Sequence, residues 1–347
     1  MKQKEIISAF TQLGKLMVSL GNEKSWDDYS NGLTQKEYND ALELIERQKS
    51  FNGWFTKENV QKSFVALGEN LTEEKLVNWV VNYSFSEDPK SIAVIMAGNI
   101  PLVGFHDFLC VLLSGNKVIA KLSSEDKSLL PMLGKFLILF NPELESRISF
   151  STGIIKEMDA VIATGSDNSI KYFEQYFGAK PHIFRKNRTS VAVIDGSETK
   201  DELEELGRDI FEYFGLGCRN VSHLLLPANY EVSNVFEGIF KYSEVIQNNK
   251  YGNNYDYNKA VYLMNKVPLL DNNFVLLRES DELFSPLAMV HYHFYNSIEE
   301  KDAYLENHKN EIQAIVGSKY IPFGKAQAPD LNDYADGVDV MSWLESV

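Results

Sequence analysis

The chain has 347 residues, enough for two domains with cores of their own, and its 44% hydrophobic content excludes a disordered or fibrous protein. It has no uninterrupted apolar run of about eighteen residues, so no membrane-spanning helix is expected. A formal net charge of -15 repels nucleic acid and anionic membranes as bulk partners, and two cysteines without a secretion signal point to reduced thiols in a cytoplasmic protein.

The N-terminus carries Ile6, Ile7, Phe10, Leu13, Leu16, Met17 and Leu20 at helical spacing. Glu5, Gln12 and Lys15 interrupt the apolar run, which predicts an amphipathic helix rather than a signal peptide. Thr34-Gln-Lys-Glu37 is a capping box opening a second helix through Ala41, Leu42, Leu44 and Ile45. Further helices are predicted after Thr56, with Val60, Phe64, Val65 and Leu67, and from Thr72, with Leu76, Trp79 and Val80. Asp88-Pro89 ends this helical segment, residues 1–87.

Beyond it the texture changes to short, continuously apolar strands with helices between them. Ser91 to Met96 is a strand, Ala97 to Pro101 a loop, and Phe105 to Leu113 a helix. Gly115-Asn116 turns the chain into a strand at Lys117 to Lys121. A helix (Leu129 to Phe140), strands near Ile148 to Phe150 and at Ala160 to Ala163, and a helix (Asp167 to Phe177) follow. This alternation predicts a doubly wound α/β domain over residues 88–189, completed by part of 318–347. A second α/β domain is expected over 190–317. Its predicted elements are a strand at Ser190 to Ile194, helices at Asp201 to Phe214 and Val232 to Tyr242, and strands at Lys259 to Leu263 and Leu287 to Phe294. The tail from Pro322 is loop-rich until Val338 to Leu344.

The two cysteines differ in context. Cys110 lies in the apolar run Phe108 to Leu113 and reads as core. Cys218 lies in Phe214-Gly-Leu-Gly-Cys-Arg-Asn-Val-Ser-His223, after two glycines and before a short apolar strand, where a substrate can reach it. Lys180 to Arg188 places four cations within nine residues; a solvated loop and a phosphate site are evenly weighted. His291-Tyr-His293 puts two imidazoles on one strand face, but no third ligand is evident, so a surface strand is expected and metal binding is not. His223 is read as a structural histidine first and a proton-transfer group second.

Four segments line up with Cys218 in chain order. They are Ala97-Gly-Asn-Ile-Pro-Leu102, Val118-Ile-Ala-Lys121 with Ser123-Ser124 after it, Ala163-Thr-Gly-Ser166, and Asp281-Glu-Leu-Phe-Ser-Pro-Leu287. Together they resemble the aldehyde dehydrogenase superfamily over roughly residues 88–330. Phe51-Asn-Gly-Trp-Phe-Thr56 and Phe323-Gly-Lys-Ala-Gln-Ala-Pro329 are similar to its narrower branch, the acyl-CoA reductases of the bacterial luminescence type (LuxC-like), in a short form. The resemblance implies an aldehyde dehydrogenase-like α/β fold of two doubly wound domains with an N-terminal helical extension. It implies NAD(P)H-dependent reduction of an acyl-CoA to an aldehyde through an S-acyl cysteine.

The resemblance also implies roles for single residues. Cys218 is the nucleophile, and Asn99 faces the oxyanion. Lys121 and the nearby Ser124 meet the adenosine ribose, and Gly165 and Ser166 meet the pyrophosphate. Glu282 holds the nicotinamide ribose, and Phe284 lies beside the nicotinamide. Hydrolytic members carry a glutamate base where this chain reads Phe184-Arg-Lys-Asn-Arg188, which favours acyl exchange with coenzyme A over hydrolysis. Ser124 in place of a glutamate favours NADPH; a shift of one residue would bring Glu125 into register and favour NADH. Two rival expectations are an acyl group delivered by a partner transferase or synthetase, and a cofactor-binding scaffold without catalysis. A homodimer is implied by analogy alone, since no dimerising β-arm is evident.

Overall fold

The computed structural model describes residues 2–27 and 32–347. The chain divides into two compact units, residues 1–186 with 330–347, and residues 187–329.

The first unit begins with four helices: α1 (Gln3–Gly21), α2 (Gln35–Phe51), α3 (Lys57–Asn70) and α4 (Glu73–Val80). Thr34, Thr56 and Thr72 cap α2, α3 and α4 by accepting the backbone N–H three residues on, and Glu37 completes the capping box at α2. The sheet then forms from β1 (Ser91–Ile95), β2 (Lys117–Lys121), β3 (Ile148–Ser151), β4 (Ala160–Thr164) and β5 (His182–Arg185). Helices α5 (Phe105–Leu113), α6 (Leu129–Phe140) and α7 (Asp167–Phe177) cross between the strands. All four strand pairs are parallel, in the order β3-β2-β1-β4-β5. Connections leaving β1 run to one side and those leaving β4 to the other, so the order reverses between these two strands. Such a reversal opens a crevice at the carboxyl ends of the strands.

The fully buried apolar residues of α1, among them Phe10, Leu13 and Met17, join a core with Phe105, Phe108 and Leu133; Phe10 meets Phe105 edge to face at 6.4 Å. The helical extension also supports the sheet's upper loops. Ser63 Oγ donates to the Pro101 carbonyl at 2.9 Å, and Ser128 Oγ donates to Gln48 Oε1 at 3.1 Å. The C-terminal segment docks on the same unit: Trp79 Nε1 donates to Tyr334 Oη at 2.9 Å, and Tyr83 Oη to Asp339 Oδ2 at 2.9 Å.

The second unit has β6 (Thr189–Val193), α8 (Lys200–Phe211), β7 (Val221–Pro227), α9 (Ser233–Ile239) and α10 (Asn249–Met264). The strands β8 (Leu270–Asp271), β9 (Leu276–Glu279) and β10 (Met289–Tyr295), then α11 (Ile298–Asn307) and β11 (Ile312–Val316), complete it. Beyond it, in the first unit, α12 (Val340–Glu345) ends the chain. The six-stranded sheet has the order β11-β6-β7-β10-β9-β8, parallel except for β8 against β9. Val191, Val193, Leu225, Leu305 and Ile312 pack into one of its cores.

Several expectations are corrected. Lys259 to Leu263 is helix within α10, not strand, because the Asn248 cap starts a helix whose Tyr251, Tyr255 and Asn258 bury one face. Within Lys180 to Arg188, His182–Arg185 form the edge strand β5 and Arg185 is buried, whereas Lys180 and Lys186 stay exposed on the flanking loops. The helix expected through Phe214 stops at Phe211, because Tyr213 and Phe214 turn left-handed, at φ 51° and 60°. His291-Tyr-His293 lies not on a surface strand but on β10, hydrogen-bonded on both sides, with His291 fully buried.

Candidate active site

The residues singled out in the sequence fall into two groups, one in each unit. In the first unit parallel register aligns the strand ends: Lys121 pairs with Ile95, and Ile95 with Ala163. Asn99, Lys121, Ser124, Gly165 and Ser166 therefore all follow or end strands at the same carboxyl edge. Asn99 is exposed on the loop between β1 and α5. That loop is held closely. A Cβ on Gly98 would overlap the Ser123 side chain, so this close approach requires glycine. Leu102, at φ 59°, donates its N–H to the buried Asp126 carboxylate at 2.9 Å. Asp126 thereby ties the Asn99 loop to the turn after β2. Burial raises its carboxyl above the ordinary range, against the N–H groups it accepts. Ser124 and Glu125 are both exposed on that turn.

Across the order reversal, β4 leads into Gly165 and Ser166. Ser166 caps α7, accepting the Ser169 N–H. A Cβ on Gly165 would come within 2.7 Å of Ser169 Cβ, so the chain passes tightly over the helix N-terminus. Backbone N–H groups at such a terminus suit a phosphate.

At the end of β5, Arg185 is buried and forms a two-pronged ion pair with Asp107 of α5; Nη2 meets Oδ1 at 2.9 Å. Burial works against the guanidinium charge, but Asp107 outweighs it and the pKa is raised. The end of β5 thus carries a locked cation.

In the second unit Cys218 is exposed, on a turn between α8 and β7, whereas Cys110 is fully buried; neither is in a disulfide. Burial pushes the Cys110 thiol well up, so it stays protonated and inert. Ser190 Oγ donates to the Cys218 carbonyl at 3.0 Å. Below this turn, Asp209 accepts the N–H groups of Gly324 and Ala326 at 2.7 and 2.9 Å, and Arg219 donates to the Ala326 carbonyl at 3.4 Å. The segment Phe323 to Pro329 is therefore fastened beside the cysteine turn. Burial pushes the Asp209 carboxyl up to about 6 even though two N–H groups favour its anion.

Glu282 and Phe284 lie on the exposed loop between β9 and β10. The Glu282 carboxylate pairs with Arg278 at 3.1 Å. Its carbonyl receives two imidazoles at once, His223 Nδ1 at 3.1 Å and His291 Nδ1 at 2.8 Å. Ser222 Oγ donates to the Leu283 carbonyl at 3.4 Å, and Tyr304 Oη to the Asp281 carbonyl at 3.1 Å. The start of β7, just after Cys218, and the Glu282 loop are thus one hydrogen-bonded assembly. Sequence reasoning did not find His291, Asp126 or Asp209 in these supporting roles; the two-residue spacing in His291-Tyr-His293 was the only signal.

For both histidines to donate to one carbonyl, each ring must carry a proton on Nδ1. Burial lowers both pKa values, His223 to about 3, against the carbonyl that favours protonation. A depressed folded pKa means that the unfolded chain takes up protons first as pH falls. The stabilisation is complete above about pH 6.5 and is lost on the way down toward about 3. The melting temperature is expected to fall between pH 7 and pH 5, and to fall less in His223→Gln, which can still donate but cannot titrate. Equal falls in the two proteins would show that His223 does not govern the acid limit.

Among the described residues no group of three His, Cys, Asp or Glu is placed to hold a metal ion, and no helix is long and apolar enough to cross a membrane.

The fold resembles solved aldehyde dehydrogenases. Aldehyde dehydrogenase 21 from Physcomitrella patens, in complex with the product succinate, is 11% identical over 96% of this chain and 79% of that one, with a TM-score of 0.63. The Mycobacterium tuberculosis aldehyde dehydrogenase complexed with NAD+ is 12% identical over 92% and 75%, with a TM-score of 0.60. The Pseudomonas aeruginosa aldehyde dehydrogenase KauB is 12% identical over 91% and 72%, with a TM-score of 0.62. No curated protein sequence matches the chain. The model of the LuxC acyl-CoA reductase family matches residues 5–234, from α1 through Cys218 to the start of α9. With two-thirds of the chain under that model and an aldehyde dehydrogenase fold throughout, this protein belongs to the LuxC acyl-CoA reductase family and is an oxidoreductase acting on aldehyde groups.

Proposed function

We propose that the protein reduces an acyl-CoA, of the fatty acyl class, to an aldehyde with NADPH, or NADH, through a thioester on Cys218. The observation that carries this reading is the contrast between its cysteines: one thiol buried and inert, the other exposed at a turn tip within the family match. The residues at the first sheet's carboxyl edge fit a dinucleotide. The α7 N-terminus, over which Gly165 lets the chain pass closely, offers backbone N–H groups to a pyrophosphate, and Lys121 at the end of β2 offers a cation to the ribose. Glu282 would hold the nicotinamide ribose, and Phe284 would flank the ring.

The Cys218 thiolate attacks the acyl carbon, and the side-chain amide of Asn99 donates to the resulting oxyanion. The bond to the coenzyme A sulfur breaks, coenzyme A leaves as the thiolate, and the acyl group remains on Cys218. A bound reduced nicotinamide supplies the hydride that brings the acyl carbon to the aldehyde level. Collapse of the thiohemiacetal then breaks the bond to Cys218 and frees the aldehyde. Arg185, locked to Asp107, cannot act as a base toward water, so the acyl-enzyme is expected to persist without reductant.

Purified protein mixed with acyl-CoAs of increasing chain length and NADPH or NADH is expected to oxidise the cofactor and release free thiol. Cofactor binding without oxidation across the whole panel would refute the reading. Asn99→Ala is expected to slow coenzyme A release in a single turnover by about 10²–10³-fold, the usual cost of losing one oxyanion donor. An unchanged release rate would remove Asn99 from the reaction.

A further inference from the structure

We infer that Asn220 is a positioning residue for the nucleophile, setting the turn on which Cys218 sits; this rests on the proposed role of Cys218. The turn runs from Gly217 to Asn220 and closes with the Asn220 N–H donating to the Gly217 carbonyl at 3.0 Å. Cys218 occupies its second position. The Asn220 side chain is 2% exposed and crosses back beneath the turn. Its Oδ1 accepts the Gly217 N–H at 2.8 Å. Its Nδ2, with two N–H groups, lies within donating distance of three carbonyls at and just past the end of α8: Asp209 at 3.0 Å, Ile210 at 3.3 Å and Glu212 at 2.9 Å. The orientation of the amide follows from these partners, because an N–H requires the oxygen and the carbonyls require the nitrogen.

The chain between those two anchors is strained. Tyr213, Phe214 and Gly215 take consecutive left-handed conformations at φ 51°, 60° and 78°. Bulky side chains stay there only where surrounding contacts over-determine the backbone. Asn220 ties both ends of this segment together: the carbonyls where α8 stops and the amide one residue before the cysteine. From the other side, the Asn220 carbonyl accepts from Ser190 N at 3.2 Å and Thr189 Oγ1 at 3.4 Å, which fixes the turn to β6. The asparagine amide is both donor and acceptor at this length. Aspartate lacks the donors, and serine is too short to span the two anchors.

The test uses the full-length protein, wild type and Asn220→Ala, with folding judged by circular dichroism melts. Two rates are read: S-acylation of Cys218 by acyl-CoA in a single turnover, and its alkylation by iodoacetamide as a function of pH. Buried Cys110 is silent in both, and peptide mass confirms the site. In folded Asn220→Ala, acylation is expected to fall by about 100-fold, the scale of loss from misplacing a reacting group by about 1 Å, and the pH–alkylation profile to be displaced. Wild-type acylation rates in folded Asn220→Ala overturn the proposal. If the wild type forms no acyl-enzyme with any acyl-CoA, the thioester reading fails separately. The alkylation profile then decides alone: displaced supports positioning by Asn220, unchanged overturns it. If Asn220→Ala does not fold, hydrogen exchange of the wild type decides. A Gly217 amide protected like those of β7 supports the proposal, and exchange at loop rates overturns it.

Discussion

Replacing Cys218 with alanine is expected to abolish acyl-enzyme formation and to lower turnover by at least about 10³-fold, since losing the nucleophile removes the covalent route. Cys110 cannot take over: it is fully buried in α5, and burial keeps its thiol protonated. Cofactor affinity is expected to survive, because alanine removes only an exposed thiol and leaves Lys121, Gly165, Ser166 and Glu282 unchanged. Intact-protein mass after mixing with acyl-CoA measures the effect. The wild type should gain one acyl group and Cys218→Ala none; an acyl group retained by the variant would place the nucleophile elsewhere.

Removing Asp107 is expected to be the most damaging single change to stability. Asp107→Ala strands the Arg185 guanidinium in a site where it is 5% exposed, and breaking one partner of a buried pair costs about 3–5 kcal/mol. The double variant Asp107→Ala with Arg185→Met is expected to recover much of that loss, because no charge is then left buried without its partner. Urea or thermal melts of the three proteins provide the check. A single variant as stable as the wild type would show that the pair does not hold β5 against α5. A cation is tolerated at this strand end only with its carboxylate present.

Much of the first unit was legible in local windows. Its strands β1, β2 and β4 are short apolar runs bounded by Pro89, Gly98, Gly115 and Gly165, and its early helices announce themselves through Thr34, Thr56 and Thr72. β5 was missed because His182-Ile-Phe-Arg185 reads as a cationic loop until Asp107 neutralises Arg185. Lys259 to Leu263 misled because a short apolar run, Ala260 to Leu263, fits strand and helix equally, and β9 and β11 gave too short a signal to be picked out.

By itself the sequence determined the α/β class and the contrast between Cys110 and Cys218, and it singled out the residues from Asn99 to Phe284 as candidates. Each of these is written in a handful of neighbouring residues, where periodicity, capping and turn chemistry act. Only the tertiary structure decided what holds those residues in place. Asp126 reaches the Asn99 loop, His223 and His291 converge on the Glu282 carbonyl, and Arg185 meets Asp107 across 78 residues of chain. Even Asn220, only two residues from the cysteine, does its work through carbonyls at the end of α8. A buried polar group must find its partner wherever the fold brings one, and that partner leaves no mark on the local sequence.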